Sequence, residues 1–573
     1  MRHLRRLWPY LRRYRGRYLL GFTLVALAAS AAALAPKFIE KAIDALKNPD
    51  ASTGRVILYF SAALILFAAV RGVLISWGRF TIIGLSRDLE FEMRSDLYRH
   101  LLKLPAKWFD SNPTGDITSR FINDLEGVRL MIGFAVVALS GTGLMFIFSL
   151  AGMFWLEWHL ALICLVPLSL ISIVTFIAAG GVHTRSLKVQ DQLGVVSTRA
   201  QENFTGARVI KAFAQEDAED RRFAGACRDY QSANISLARL RALMFASMTL
   251  FIELAVAVTL YFGGKGIIGG HFTEGQFAAF TAYQFMLVWP MVAIGWVIAV
   301  AQRGVACMGR LNDIFDAAPA PSGEAAIELV GGIDIRNLTF RYKEDRRPAL
   351  ENVSFSIQRG QKVGIVGRTG SGKSALAQIL LKLYEVPRGT VFVDGRDLND
   401  VATDSLRRAT GAVAAEPFIF SDTLSNNIAF GGGDDVPRAA RLARIAADAE
   451  RFPGKLHQVI GERGVTLSGG QKQRTALARA LIRRPRLLIL DDALSSVDAH
   501  TEREILDELR DFMRGRTSIV ISHRMSAVRD CDLILVLDDG RLAESGTHDE
   551  LVSRRGLYAA MCERQQLLEE LEP

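Results

Sequence analysis

Four stretches of the chain, residues 19–36, 130–156, 160–182 and 275–302, contain no Asp, Glu, Lys or Arg. Each is apolar for long enough to cross a hydrocarbon core as a helix. Two more, residues 56–85 and 242–264, are nearly as apolar but carry Arg71 and Arg79 in the first and Glu253 in the second. Charges at that depth are costly and tend to face a cavity or a partner charge, although Arg79 near an interface can snorkel and Glu253 can pair within the protein. Together the pattern predicts about six spans.

From about Glu328 the pattern changes. Apolar residues alternate at Ile333, Ile335, Leu338 and Phe340, then at Val353, Phe355 and Ile357, the period of antiparallel strands. Continuous apolar runs follow at residues 363–366, 487–490, 518–521 and 533–537, with helical segments between them. That alternation reads as an α/β nucleotide-binding core. The fold class expected is therefore multi-domain, an all-α six-helix membrane domain joined to an α/β domain with antiparallel β and helical subdomains. Its parts are an amphipathic cytoplasmic helix (1–17), the six-span domain (18–315), a linker (316–327) marked by Pro319 and Pro321, and the α/β domain (328–573).

Between the spans, the connections at residues 86–129 and 183–241 are long and polar, yet keep helical periodicity, so the spans should continue as helices well past the bilayer. The first breaks at Pro105 and Pro113 and restarts near Asp116, and the second breaks around Gly206. Each is expected to cap a helical hairpin that touches the soluble domain; ordinary solvated turns would leave the two halves uncoupled.

Composition agrees with a membrane half and a soluble half. The chain has 573 residues, 50% hydrophobic and 23% charged, with a mean hydropathy of +0.19, too long for one core. The net charge of +9 would suggest nucleic acid as partner for a soluble protein, but the flanks of the spans account for much of it. Arg2, Arg5, Arg6, Arg12, Arg13, Arg15 and Arg17 precede the first span without any acidic residue, which predicts a cytoplasmic N-terminus, and an even number of crossings returns the α/β domain to the same side. A mitochondrial transit peptide is the rival reading. The lack of serine before Ser30 and the interleaved Leu4, Leu7, Trp8, Tyr10 and Leu11 favour an amphipathic helix on the membrane surface. Cys164, Cys227, Cys307, Cys531 and Cys562 are scattered and odd in number, without metal-ligand spacing, which suggests a reducing compartment for the soluble half.

The chemistry lies in the α/β domain. Gly367, Arg368, Thr369, Gly370, Ser371, Gly372, Lys373 and Ser374 form a phosphate-loop run between the strand-like segment 363–366 and a helix-compatible segment. Glycines let successive backbone N–H groups curl around phosphates, Lys373 adds a charge at the terminal phosphates, and the Ser374 hydroxyl reaches Mg²⁺. The following helix points its positive end at the anion.

Further on, LSGGQ at residues 467–471, the pair Asp491 and Asp492 after LLIL, the SSVD run ending at Asp498, and His523 resemble the signature, Walker B, D-loop and switch histidine of the ABC ATPase family. With the upstream spans, the chain is similar over nearly its whole length to a half-transporter of the multidrug ABC exporter type. The resemblance implies ATP and Mg²⁺ as cofactors. It implies adenine stacking for Tyr342, a water-mediated Mg²⁺ contact for Asp491, a γ-phosphate contact for His523, and phosphate binding by Ser468, Gly469, Gly470 and Gln471, with Asp498 in the same nucleotide-binding set. Plain alternatives stand beside these: a cross-strand aromatic for Tyr342, a buried structural histidine for His523, and a helix cap for Ser468.

Two positions depart from the family pattern. Asp492 stands where the family has the glutamate that polarises the attacking water, its carboxylate withdrawn by more than about 1 Å, a displacement that can cost ~10²-fold in rate. Ala415, in VAAEPFIF at residues 413–420, stands where the family has a glutamine that ligates Mg²⁺ and links to the membrane part. The neighbouring Glu416 would point elsewhere in an extended segment. The resemblance then implies a heterodimer, in which this chain builds one weak site with catalytic Asp492 and His523 and lends LSGGQ to a strong site on a non-identical partner; a slow homodimer is the alternative. Its expected setting is the plasma or bacterial inner membrane, and its expected cargo an amphipathic drug or lipid. Arg71, Arg79 and Glu253 are candidates for substrate contact beside the snorkelling and pairing alternatives, and aromatics such as Phe146, Phe285, Trp289 and Trp296 either line an apolar pocket or face lipid. An ATP-gated regulatory or channel-like protein is the competing class, whereas the spans exclude a soluble nucleic-acid-repair ATPase.

Overall fold

The computed structural model describes residues 2–47, 53–342 and 347–571. Its contacts separate two compact units, Met1–Leu102 with Thr114–Ala317, and Lys103–Pro113 with Ala318–Pro573.

Among the described residues, the first unit holds six helices long and apolar enough to cross a membrane: Arg15–Asp44, Thr53–Leu101, Thr114–Leu156, Trp158–Thr205, Glu216–Ile268 and Glu274–Phe315, numbered here as spans 1 to 6. Span 2 has 49 residues, about 74 Å at 1.5 Å per residue, more than twice a hydrocarbon core. Spans 2 to 5 therefore carry the polar extensions that the periodicity of the long loops predicts. Packing within the apolar stretch relies on small residues. Span 1 buries Gly21, Val25, Ala28, Ala29 and Ala32, and a Cβ added at Gly78 of span 2 would meet the Val25 side chain at 2.8 Å, so the two backbones approach as only small residues allow.

The extensions are held by ion pairs. Buried Glu90 of span 2 receives Arg94 at 2.7 Å and Arg129 of span 3 at 3.2 Å. Asp124 accepts both prongs of Arg310, at 2.9 and 2.5 Å. The N-terminal helix Trp8–Arg13 is anchored through Tyr10 to Asp96 and Arg13 to Glu92, and the junction to span 1 through Tyr14 to Glu92 and Arg17 to Asp88. Part of the arginine excess thus faces acidic residues of span 2.

In the second unit the strands are β1 (Ile333–Phe340), β2 (Leu350–Ile357), β3 (Lys362–Gly367), β4 (Val391–Val393), β5 (Arg396–Asp397), β6 (Thr410–Val413), β7 (Leu487–Asp491), β8 (Thr517–Ile521), β9 (Leu533–Asp538) and β10 (Arg541–Gly546). They form a four-stranded sheet in the order β2-β1-β4-β5 and a six-stranded sheet in the order β10-β9-β3-β8-β7-β6. The first is antiparallel, as the alternation at Ile333–Phe340 demands. In the second, β9, β3, β8, β7 and β6 run parallel and β10 antiparallel. Every residue of β7 and β8 is buried, which is why these segments read as continuous apolar runs. Register completes the arrangement: Ile365 pairs with Ile521, and Ile521 with Asp491. The carboxyl ends of β3, β8 and β7 are therefore level, and all the loops that leave them emerge at one edge, where ligands of open α/β sheets bind.

Candidate functional site

The loop leaving β3 takes left-handed backbone at Gly370 (φ 86°) and Gly372 (φ 97°). A Cβ on Gly372 would run into the Ala349 carbonyl oxygen, so the turn admits no side chain there. Lys373 opens the helix Lys373–Leu380 and is only 5% exposed. Its Nζ donates to the carbonyls of Gly367 and Arg368 at 2.9 and 2.8 Å, which holds the ammonium over the loop mouth. Burial lowers its pKa, against the opposing pull of Asp492 and Asp491.

Asp491, at the end of β7, is buried. Burial pushes its carboxyl above the ordinary range; the Ser374 hydroxyl bond, Lys373 and His523 pull it down, and Asp492 pushes it further up. Its Oδ1 and the Ser371 hydroxyl are buried without a hydrogen-bond partner. Buried oxygens left unpaired are expensive. A hydroxyl beside a carboxylate, with a free carboxylate oxygen, is a donor set for a hard cation. Ser374 and Asp491 therefore fit Mg²⁺, and the curled loop with Lys373 fits the phosphates it would accompany.

Asp492 has φ 45°, a left-handed conformation that Asp tolerates better than longer side chains. Its Oδ1 accepts from the His523 backbone N–H at 3.1 Å, and its Oδ2 lies 3.3 Å from His523 Nε2. Both carboxylate oxygens are thus turned to one residue. The His523 side chain is 46% exposed, so it is not a buried structural histidine. Beside it lies a cavity of about 830 Å³ lined by Gly367, Arg368, Thr369, His523, Arg524 and Glu502, among others.

The signature residues sit elsewhere. Ser468 caps the helix Gly469–Leu481 in a reciprocal pair, Gln471 N to Ser468 Oγ at 3.3 Å and Ser468 N to Gln471 Oε1 at 3.0 Å. Capping is thus realised, and Ser468 and Gly469 remain exposed. None of Ser468, Gly469, Gly470 and Gln471 lines the cavity at the phosphate loop. Asp498 caps the next helix, Ala499–Met513, by accepting from Thr501 N at 2.9 Å, and that bond holds its carboxyl below the usual range.

Tyr342, just past β1, donates to Gln378 at 2.8 Å and meets Phe340 and Tyr384 edge-on at 5.0 and 5.2 Å. These aromatic partners lie on β1 itself and in the segment after the helix Lys373–Leu380, not on a facing strand, and Tyr342 also lines a second cavity of about 860 Å³ with Arg341, Lys382, Tyr384 and Arg388. Ala415 follows β6 with a side chain that offers no ligating atom, and Glu416 is exposed.

Two contributors escape the motif reading. Gln473, 2% exposed, donates to Ser495 Oγ at 2.7 Å and to the Asp492 carbonyl at 3.2 Å, and accepts from Ser496 N at 2.8 Å. It ties the signature helix to the turn after Walker B. The available signal was a glutamine on the stripe of Ala476, Leu477, Ala480 and Leu481, which are all buried. Gln473→Ala should cost ~1–3 kcal/mol of stability by orphaning these groups; an unchanged denaturant midpoint would contradict this. The second contributor is Tyr384, whose hydroxyl donates to Asp110 at 2.6 Å. Asp110 lies in the short helix Ala106–Ser111, which clusters with the α/β unit although the chain on either side of it leads into spans 2 and 3. The first long loop therefore touches the soluble unit as its breaks at Pro105 and Pro113 predict. The second long loop carries the helix Ala207–Ala212, which belongs to the unit of the spans, and its Phe204, Val209 and Phe213 are exposed.

Comparison with known proteins agrees with this geometry. Residues 18–291 match the ABC transporter transmembrane region, and residues 350–495 the ABC transporter family. The chain is 34% identical to the probable multidrug resistance ABC transporter ATP-binding/permease protein YheI of Bacillus subtilis, over 98% of both chains. It is 31% identical to the ATP-dependent lipid A-core flippase of Photobacterium profundum, over 97% of both. The solved structure of a bacterial Atm1-family ABC exporter with ATP bound superposes with a TM-score of 0.82 at 30% identity, covering 97% of this chain and 99% of that one. Six long apolar helices, a phosphate loop at the edge of a parallel sheet and these likenesses along the whole chain lead to one conclusion: the protein belongs to the ABC transporter family, as an exporter-type chain with its transmembrane and nucleotide-binding domains fused.

Proposed function

We propose that the chain is the weakly hydrolysing subunit of a dimeric exporter that drives amphipathic or apolar compounds, of drug or lipid class, out of the cytoplasm. The arginine-rich N-terminus and the α/β unit would lie on the cytoplasmic side. The names of the relatives support the cargo class. The observation that carries the unequal assignment is Asp492, whose shortened carboxylate is engaged at both oxygens by His523.

In this reading the phosphate loop binds and orients the triphosphate, and Lys373 neutralises its terminal charge. Ser374 and Asp491 would hold Mg²⁺, which when bound withdraws electron density from the phosphate oxygens. Tyr342 offers its ring to the adenine. His523 presents its half-exposed imidazole to the γ-phosphate, and its bond to Asp492 sets where that ring points. A carboxylate so occupied is poorly placed to orient and deprotonate a water. Ala415 removes a second contact to that region. The exposed Ser468 and Gly469 complete no site on their own chain, which suits a head-to-tail pair in which each nucleotide lies between one chain's loop and the other's signature. A partner with glutamate after its Walker B aspartate would own the strong site.

Conformational coupling would pass through Tyr384 and Asp110, because Tyr342 packs on Tyr384 while Asp110 is continuous with spans 2 and 3. Tyr384→Phe should lower substrate-stimulated ATPase about threefold to tenfold, with ATP affinity within about twofold of native. Stimulation equal to native would remove this link. Vesicle transport by the native complex tests the function: ATP-dependent uphill accumulation supports the pump, whereas passive flux gated by ATP would replace it with a channel.

A further inference from the structure

The membrane unit contains a cavity of about 520 Å³ among spans 1, 2, 3 and 6, with Ala28, Met145, Trp289 and Trp296 in its lining together with Arg71 and Arg79. Apart from those two arginines and Thr142, every side chain lining it is apolar or aromatic. Its volume lies in the range of pockets that bury a drug-sized molecule. Arg71, Ile75 and Arg79 recur every four residues on span 2, so the guanidinium groups share one helix face about 12 Å apart along the axis. Among the described residues neither arginine has an ion pair or hydrogen bond. Glu253 is the one acidic side chain inside the apolar stretches, and it does not line this cavity.

Two cations without counter-ions in an apolar wall are costly at membrane depth unless an anion joins them. We propose that this cavity is an anion-selective substrate site, which takes amphipathic molecules with an apolar body and a phosphate, sulfonate or carboxylate head. The planar guanidinium forks match such heads with paired hydrogen bonds. The indoles of Trp289 and Trp296 and the methyl-rich face of span 1 receive the body. The inference rests on the export reading and narrows its cargo.

The test uses the full chain in its native complex, in phosphatidylcholine nanodiscs without nucleotide. Binding of 1-oleoyl lysophosphatidate, 1-oleoyl lysophosphatidylcholine and taurocholate is followed by tryptophan fluorescence, to which Trp289 and Trp296 contribute. Lysophosphatidate should bind at least about 10-fold tighter than lysophosphatidylcholine. The double variant Arg71→Gln/Arg79→Gln should bring the ratio close to one, while Arg71→Lys/Arg79→Lys, which keeps the charge and loses the fork, retains a reduced preference between these two values. Binding of taurocholate alongside lysophosphatidate assigns anionic amphiphiles at large; binding of lysophosphatidate alone assigns a lipid headgroup, and either result supports the site. Equal affinity for the two lysolipids, or a glutamine variant that keeps the preference, overturns it. Because the measurement needs no ATP, lost selectivity with intact ATP-driven transport sinks only the site. Selectivity with no transport sinks only the export reading.

Discussion

Asp492→Glu is expected to raise ATP turnover at this chain's own phosphate site by up to about 10²-fold, the inverse of the penalty for a carboxylate misplaced by more than 1 Å. The extra methylene carries the carboxylate away from the backbone N–H of His523, to which Asp492 Oδ1 is now bonded at 3.1 Å, and toward the mouth of the phosphate loop. The change has a structural cost. Position 492 has φ 45°, and a longer side chain without aspartate's local hydrogen bonding loses ~1 kcal/mol there. A faster but slightly less stable protein is the expected result, read from phosphate release and thermal unfolding of one preparation. Turnover within about twofold of native would show that carboxylate reach does not limit this site. Ala415 would then be the place to look.

The second large effect concerns Lys373. Lys373→Ala should weaken ATP binding at this site by about 10- to 10²-fold, since charge-assisted hydrogen bonds contribute ~1.5–3 kcal/mol each and a terminal triphosphate takes at least one. The ammonium also bridges the carbonyls of Gly367 and Arg368, so the variant loosens the loop it leaves behind. Lys373→Arg tests whether charge alone suffices. It keeps the charge but cannot enter a pocket that leaves lysine 5% exposed, so it too should bind poorly, with the unfolding midpoint close to that of alanine. Equilibrium binding of a fluorescent ATP analogue reads both, and native-like affinity in either variant would contradict the assigned role.

Much of this was legible in the sequence because the decisive signals are local. Six apolar stretches, the GRTGSGKS loop and the LSGGQ cap are each fixed by a few adjacent residues whose backbone preferences agree with the fold. The continuous apolar runs at 487–490 and 518–521 announced strands buried on both faces, and their register then placed Asp491 and His523 at the edge where β3 ends. What stayed hidden depends on long-range pairing. Gln473 reads as one more polar residue until the turn at Ser495 and Ser496 is folded against it. Tyr384 and Asp110 are separated by 274 residues, and no spacing rule joins them. The arginines before span 1 read as a flank of the spans, and nothing local shows that Arg13 and Arg17 pair with Glu92 and Asp88, more than 70 residues away. For Ser468 and Asp498 the capping role is visible in one chain, whereas a contact with nucleotide needs a second chain and stays a proposal.

Phosphate release, measured on the purified chain alone and on its native complex, each with Asp492→Asn as the comparison, tests the unequal-site account most directly. The account predicts only background release from the chain alone and a complex whose turnover Asp492→Asn leaves nearly unchanged. Brisk release by two identical copies that Asp492→Asn abolishes would contradict it.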